Sequence, residues 1–261
     1  MKTTEPICTP RDVTPAYQLN WGLTVFWRQQ PVADDQWLNL LQSATEPDDV
    51  RVLKHRITIT GDASQFFVST KPHVSPAQMI RSVKGRLQYI IREQQPKAFQ
   101  RNYAVRSVGA ATRSVVEDYV AKQMDRHPMA DLRVQDLFLQ YQKSYPAIDL
   151  SQPVCSAHGR YWYNLHLVLV NDHRWMEIRS TVLEKLSRMI DRVAAKYDHR
   201  ISRVGLPADH VHLTMGCVVD QSPENVAMNY LNNLAYAVGM KPYFQFGYYA
   251  GTIGEYDRGA V

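Results

Sequence analysis

Two imidazoles two residues apart, His210 and His212, open an apolar stretch that runs from Val211 to Val219 behind Pro207-Ala208-Asp209. If the stretch is a strand, its period of two sends both rings to one face, about 7 Å apart along the chain, where they can share one metal ion. Nine histidines in 261 residues also make one His-x-His an ordinary coincidence, so the pair reads either as a metal site or as two unrelated rings. A second pair lies far upstream. In the segment from Thr112 to Met124, whose pattern predicts a helix, Tyr119 and Gln123 are four residues apart and share a face. A phenol and an amide oxygen can then reach one point. The competing reading packs Tyr119 at the edge of the stripe made by Val115, Val116 and Val120, with its hydroxyl in water.

The elements that must position these groups come in two similar sets. Asn20-Trp-Gly-Leu-Thr-Val-Phe26 has the strand character of Asn164-Leu-His-Leu-Val-Leu-Val170, at an offset of 144. Asp62-Ala-Ser-Gln-Phe-Phe-Val68 runs without gaps against Asp209-His-Val-His-Leu-Thr-Met215 at an offset of 147, which also carries Ser75-Pro76 onto Ser222-Pro223. In both copies a serine can cap a helix that a proline begins. Tyr103-Ala-Val-Arg-Ser-Val-Gly109 matches Tyr248-Tyr-Ala-Gly-Thr-Ile-Gly254 at an offset of 145. Each half reads as strand, helix, strand, strand, helix and a short connection carrying the Tyr…Gly motif, with a further helix in the first half only. That pattern predicts an α+β fold, helices on one face of a mainly antiparallel sheet. The helix from Pro76 places Met79, Ile80, Val83, Leu87, Ile90 and Ile91 on one stripe; a second, from Met176 to Lys196, does so with Ile178, Val182, Leu186, Ile190 and Val193. Pro128, Pro146 and Pro153 mark a linker over 125–160, with a short helix around Val134 to Tyr141.

Composition narrows the classes. At 45% hydrophobic content the chain can bury a substantial core, and its length suits about two domains. No apolar run is long enough to cross a bilayer and the first ten residues lack a secretory core, so a cytoplasmic location is expected. Cys8, Cys155 and Cys217 are too scattered for a disulfide framework or a zinc cluster and read as free thiols. A net charge of +5 suits a polyanionic partner and is also common among enzymes. The aromatic clusters Tyr161-Trp-Tyr163 and Phe244-Gln-Phe-Gly-Tyr-Tyr249 can stack bases or pack at sheet edges, and Arg106 can meet phosphate or water.

Asp209-His-Val-His-Leu, the helix opened by Ser222-Pro223, Tyr103-Ala-Val-Arg-Ser-Val-Gly109 and Glu117-Asp-Tyr-Val-Ala-Lys-Gln123 together resemble the single-tyrosine HUH transposases, the REP-associated and related insertion-sequence enzymes. The resemblance covers most of the chain in two tandem copies. It implies two ferredoxin-like domains arranged as a pseudo-dimer, over residues 1–124 and 161–261. It also implies Mg²⁺ or Mn²⁺ held by His210, His212 and Gln123, and a nucleophilic Tyr119 that cleaves single-stranded or hairpin DNA through a 5′-phosphotyrosine. Family members are homodimers in which one subunit's tyrosine helix can complete the other's histidine site.

The departures are informative. The positions matching His210 and His212 in the first half are Ala63 and Gln65, and the counterpart of Tyr119 would fall beyond Val261. Each half keeps what the other lacks, as expected of a fused dimer with one composite site. Two other classes stay open: a hairpin-binding protein that no longer cuts, and a phosphoesterase built on His73-Val-Ser75 and His212-Leu-Thr214. The repeat argues against the second, because His73 matches Asp220 and not a residue of the histidine strand.

Overall fold

The computed structural model describes residues 6–126, 129, 131–239 and 242–259; Met1–Glu5, Pro128 and Val261, which entered the reading of the leader, the linker and the repeat, lie outside them. The first half contains β1 (Thr14–Gln18), β2 (Asn20–Trp27), α1 (Leu38–Thr45), β3 (Val50–Ile57), β4 (Ala63–Thr70), α2 (Pro76–Ile90), β5 (Phe99–Val108), α3 (Arg113–Ala121) and α4 (Gln123–Arg126). Next come α5 (Leu132–Tyr141), β6 (Lys143–Ser144), β7 (Val154–Ser156) and β8 (Gly159–Trp162). The second half holds β9 (Asn164–Val170), α6 (Ser180–Tyr197), β10 (Arg200–Gly205), β11 (His210–Gly216), α7 (Pro223–Val238) and β12 (Gly247–Thr252). Among the described residues no helix is long and apolar enough to cross a membrane.

The strands form two six-stranded sheets, ordered β3-β4-β2-β5-β8-β7 and β1-β12-β9-β11-β10-β6. Strict alternation explains the central strands: Trp21, Leu23 and Val25 of β2, and Leu165, Leu167 and Leu169 of β9, face a buried core. Ser75 caps α2 in a reciprocal capping box with Gln78, and Ser222 accepts the Asn225 N–H at the start of α7. Both sheets share one register. Asn20 pairs with Ser69 as Asn164 pairs with Gly216, and an irregularity at Val52/Lys54 of β3 recurs at Ile201/Arg203 of β10.

The edges cross over. Strand β1 leaves its own half to pair in parallel with β12, and β8 pairs in parallel with β5, so each sheet contains a strand from the other half. At the crossing, the Ser107 hydroxyl oxygen accepts the Asn164 N–H (2.9 Å) and the Thr252 hydroxyl oxygen accepts the Asn20 N–H (3.0 Å) while donating to the Val108 carbonyl (2.7 Å). Gly109 and Gly254 permit the close approach: a Cβ at Gly254 would collide with the Ser107 carbonyl, and one at Gly109 with the Ala111 and Thr252 carbonyls.

Three expectations need correction. The Tyr…Gly segments lie in β5 and β12, not in connections, because both edges of each are paired and Val105 and Ser107 alternate inward. The second long helix starts at Ser180; Met176 and Ile178 are exposed, since Glu177 N–H is taken by the Ala208 carbonyl and its carboxylate binds Arg179. Helices do not keep to one face: α7 packs against β9 and β12, whereas α3 of the first half lies against β10 and β11 on the opposite, imidazole-bearing face.

Two further imidazoles are structural. His55 sits between Asp34 (3.0 Å) and Ser64 (2.9 Å), and His199 between Tyr230 (3.1 Å) and Gln221 (2.7 Å). Burial pushes both below the ordinary imidazole value of 6.5, against the upward pull of Asp34 and Gln221. A depressed imidazole pKa means that the unfolded chain binds the proton first, so this stability is present above about pH 6.5 and is lost as pH falls toward the folded-state values. Urea unfolding is expected to show that loss, and His199→Gln to flatten it; an unchanged pH slope would contradict the assignment. Gly254→Ala is expected to cost about 1–3 kcal/mol by overpacking at the crossing, read as a lower urea midpoint at constant slope.

Candidate active site

Strand β11 directs His210 and His212 to one face, with ring centroids 4.6 Å apart. On that face His212 lies opposite Val168 of β9 and Gly205 of β10, and His166 lies opposite Thr214. The His166 Nε2 is 2.9 Å from the His212 Nδ1, which fixes the rotation of the second ring. Over this face sits α3. The Tyr119 ring centroid is 5.6 Å from that of His212 and 6.4 Å from that of His166. Helix α3 ends at Ala121, and after Lys122 the chain resumes as α4 with Gln123 as its first residue. Gln123 is 0% exposed, and among the described residues neither its amide oxygen nor its nitrogen has a hydrogen-bond partner. A Cβ on Gly205 would lie 3.5 Å from both the Gln123 Cγ and the His212 Cβ, and 3.3 Å from the Val120 Cγ1. A glycine there lets the tyrosine helix settle onto the histidine strand.

The electrostatics define the proton positions. Asp209 Oδ1 lies 2.5 Å from the His210 Nδ1; a carboxylate can only accept, so Nδ1 carries the hydrogen. Burial would raise the Asp209 carboxyl, but its bonds to His210 and Arg174 prevail and hold it below the ordinary range. Burial, helped by the nearby charge of His210, pushes His166 down to about 4. It is therefore a neutral ring that exchanges one hydrogen bond with His212.

The four residues singled out in the sequence, Tyr119, Gln123, His210 and His212, thus occupy one neighbourhood built from both halves. Sequence reasoning missed His166 and Asp209. The signal for His166 was present: it alternates with Leu165, Leu167 and Leu169 and so points away from their core, although its diagonal neighbour His212 is set by strand register. Among the described residues no three His, Cys, Asp or Glu side chains converge on a metal position; the expected ligand set has two imidazoles and an amide. In the other sheet the matching positions carry Ala63, Gln65 and Gly22, and Gln65 accepts from Arg56. His73 is paired with Asp49 (3.1 Å) and stands before α2, outside the strands, whereas His212 lies within β11. Tyr161, Tyr163, Phe244 and Tyr248 are packed inside, whereas Phe246 is exposed.

The sequence pattern of the family described as "Transposase IS200 like" matches residues 27–123 and 160–259, three quarters of the chain. The chain belongs to the IS200-like transposase family. Among solved structures, a REP-associated tyrosine transposase bound to a REP hairpin is similar at 15% identity and a TM-score of 0.32, over 35% of this chain and 56% of that one. The chain thus spans little more than half the length of that relative. An unknown protein from Galdieria sulphuraria is similar at 8% identity and a TM-score of 0.23, over 90% of this chain and 98% of that one. At such scores neither likeness bears on function. No curated protein matches the chain.

The contact at Gly205 is what seats the tyrosine helix. Gly205→Val is expected to raise amide hydrogen exchange across residues 113–123 about tenfold, equivalent to about 1.4 kcal/mol, while β9 and β11 keep their protection. Unchanged exchange in the helix would show that it is held elsewhere.

Proposed function

We propose that this IS200-like transposase cleaves and rejoins single-stranded or hairpin DNA at one composite site, with Tyr119 as nucleophile. In this reading the chain is a tandem duplication of ferredoxin-like domains, a pseudo-dimer. Residues 1–124 supply the tyrosine helix, 161–261 supply the histidine pair, and 125–160 join them. The carrying observation is the placement of Tyr119, from the first half, 5.6 Å from the ring centre of His212, from the second.

The donor set fits a divalent cation. The Gln123 amide is buried with no hydrogen-bond partner, an arrangement that costs about 1–3 kcal/mol unless a ligand satisfies it. Asp209 holds the hydrogen on the His210 Nδ1, which directs Nε2 of the neutral ring to a ligand, and the contact with His166 sets the rotation of the His212 ring. His210, His212 and Gln123 would hold Mg²⁺ or Mn²⁺, which when bound neutralises phosphate charge and leaves positions open for phosphate oxygens.

This chain's own residues supply the rest. The Tyr119 oxygen forms a bond to phosphorus as the bond from phosphorus to the 3′-oxygen breaks; the phenol loses its proton and the departing 3′-oxygen gains one. The covalent 5′-phosphotyrosine retains the bond energy, so a free 3′-hydroxyl can reverse the step without a nucleotide cofactor. Seating Tyr119 on the face of a rigid sheet replaces a bimolecular encounter with a fixed geometry.

Incubation with labelled hairpins and Mn²⁺ is expected to give a denaturant-resistant protein–DNA adduct, lost in Tyr119→Phe and reduced at least a hundredfold in His210→Ala. Binding without an adduct in the wild type would favour a non-cleaving hairpin-binding protein. Release of a small phosphomonoester by a fully active Tyr119→Phe variant would favour a phosphoesterase.

A further inference from the structure

A cavity of about 330 Å³ lies where the two sheets cross, and none of Tyr119, Gln123, His210 and His212 lines it. Its walls include Trp162 of β8, Tyr256, Arg106 of β5 and Arg113, the first residue of α3. Asn164 and Ser107, both 2% exposed, form its buried end. The Asn164 side-chain nitrogen donates to the Leu150 carbonyl (3.0 Å), which fixes the amide orientation and leaves its carbonyl oxygen buried with no hydrogen-bond partner. We propose that this cavity takes one unpaired base of a single-stranded DNA and selects a base that carries an exocyclic amine.

Three features favour a base over a phosphate. Two aromatic rings line the cavity, and the Arg106 guanidinium already lies 3.8 Å above the Trp162 ring, so a flat π-system has surfaces on which to stack. The charges at the cavity are balanced: Arg106 pairs with Glu255 (3.1 Å), and Arg113 pairs with Glu117 (3.1 Å) and lies 3.8 Å from Asp149. A site for a lone phosphate would keep its cations unneutralised. The arginines of the wall are engaged by carboxylates, and the buried polar atom left without a partner is an acceptor, the Asn164 oxygen; with the Glu255 carboxylate it matches the N–H groups of adenine, cytosine or guanine better than thymine, which has no exocyclic amine.

The surroundings fit a strand running to and from the cavity. Arg160 and Arg56 are exposed on the same face of the first sheet as Arg106 and Trp162, in the cross-strand row next to theirs. They offer phosphates the cations that the cavity withholds. Arg113 stands six residues before Tyr119 on one helix, about 9 Å along its axis, so a strand seated in the cavity leads toward the tyrosine. At the matching corner of the second sheet the register puts Gln18 and Gly251 where the first has Trp162 and Arg106. The aromatic and cationic walls therefore occur on one side of the crossing only.

The inference rests on the strand-transfer reading only for the path past Tyr119, and its test uses binding without cleavage. In EDTA, fluorescence anisotropy with oligo-dA, oligo-dC and oligo-dT of equal length is expected to show dA and dC bound about tenfold more tightly than dT. Tyr256→Ala, at a side chain 47% exposed, is expected to remove that preference; Trp162→Ala should do the same if its fold is retained by circular dichroism. A mixed-sequence strand with one abasic site moved along it should lose about tenfold at one position in the wild type and at none in Tyr256→Ala. Equal affinity for the three oligomers in the wild type, or a preference that survives Tyr256→Ala, would overturn the proposal even if the Tyr119 adduct forms. Loss of the preference with no adduct would uphold the cavity and refute the cleavage chemistry alone.

Discussion

The molecule depends on two backbone N–H groups, those of Asn20 and Asn164, each buried at the point where the chain passes from one sheet to the other. A buried N–H must find an acceptor. Here each finds the hydroxyl of the opposite half's last strand, Thr252 for Asn20 and Ser107 for Asn164. The exchange commits β1 to the second sheet and β8 to the first. Neither sheet is then complete without the other half, and the segment that leaves β5 past Gly109 runs as α3 across the face of β10 and β11.

That route explains why Tyr119 and the histidines meet. Helix α3 needs a partner for Val120, and Gly205 leaves room for it beside His212. The arrangement concentrates polar groups where water is largely excluded. His212 and Gln123 are buried and His166 is partly so, and the Gln123 amide has no hydrogen-bond partner among the described residues. In the proposed reading those atoms have a ligand, a cation with its phosphate, whose chemistry matches two imidazole nitrogens and an amide oxygen.

The two sheets agree in register and differ in what they display. On the second, the imidazoles of His166, His210 and His212 share a face covered by α3. On the first, the matching positions are Gly22, Ala63 and Gln65, and the face carries arginines. In the proposed reading the second face is the catalytic one, and the first is available for holding the strand.

Much of this was legible in the sequence. His210-Val-His212 on a strand announced two rings on one face, and the spacing of Tyr119 and Gln123 survives the break at Lys122 because one turn still separates them. The offsets that align Asn20 with Asn164 reappear as sheet register, since side-chain period and pairing are the same physical constraint in a half-buried strand. Other features belong to tertiary structure. The Tyr…Gly segments read as connections because a strand paired on both edges has no local signature distinct from an apolar loop. Met176 and Ile178 fit the helical stripe but lie outside the helix, because the Glu177 N–H between them is taken by the Ala208 carbonyl, thirty-one residues away. The bond between His166 and His212, the emptiness beside Gly205 and the cavity between Trp162 and Tyr256 arise only when strands distant in the chain are laid side by side. Local periodicity fixes which way a side chain points; what it meets there is decided by the pairing of the whole sheet.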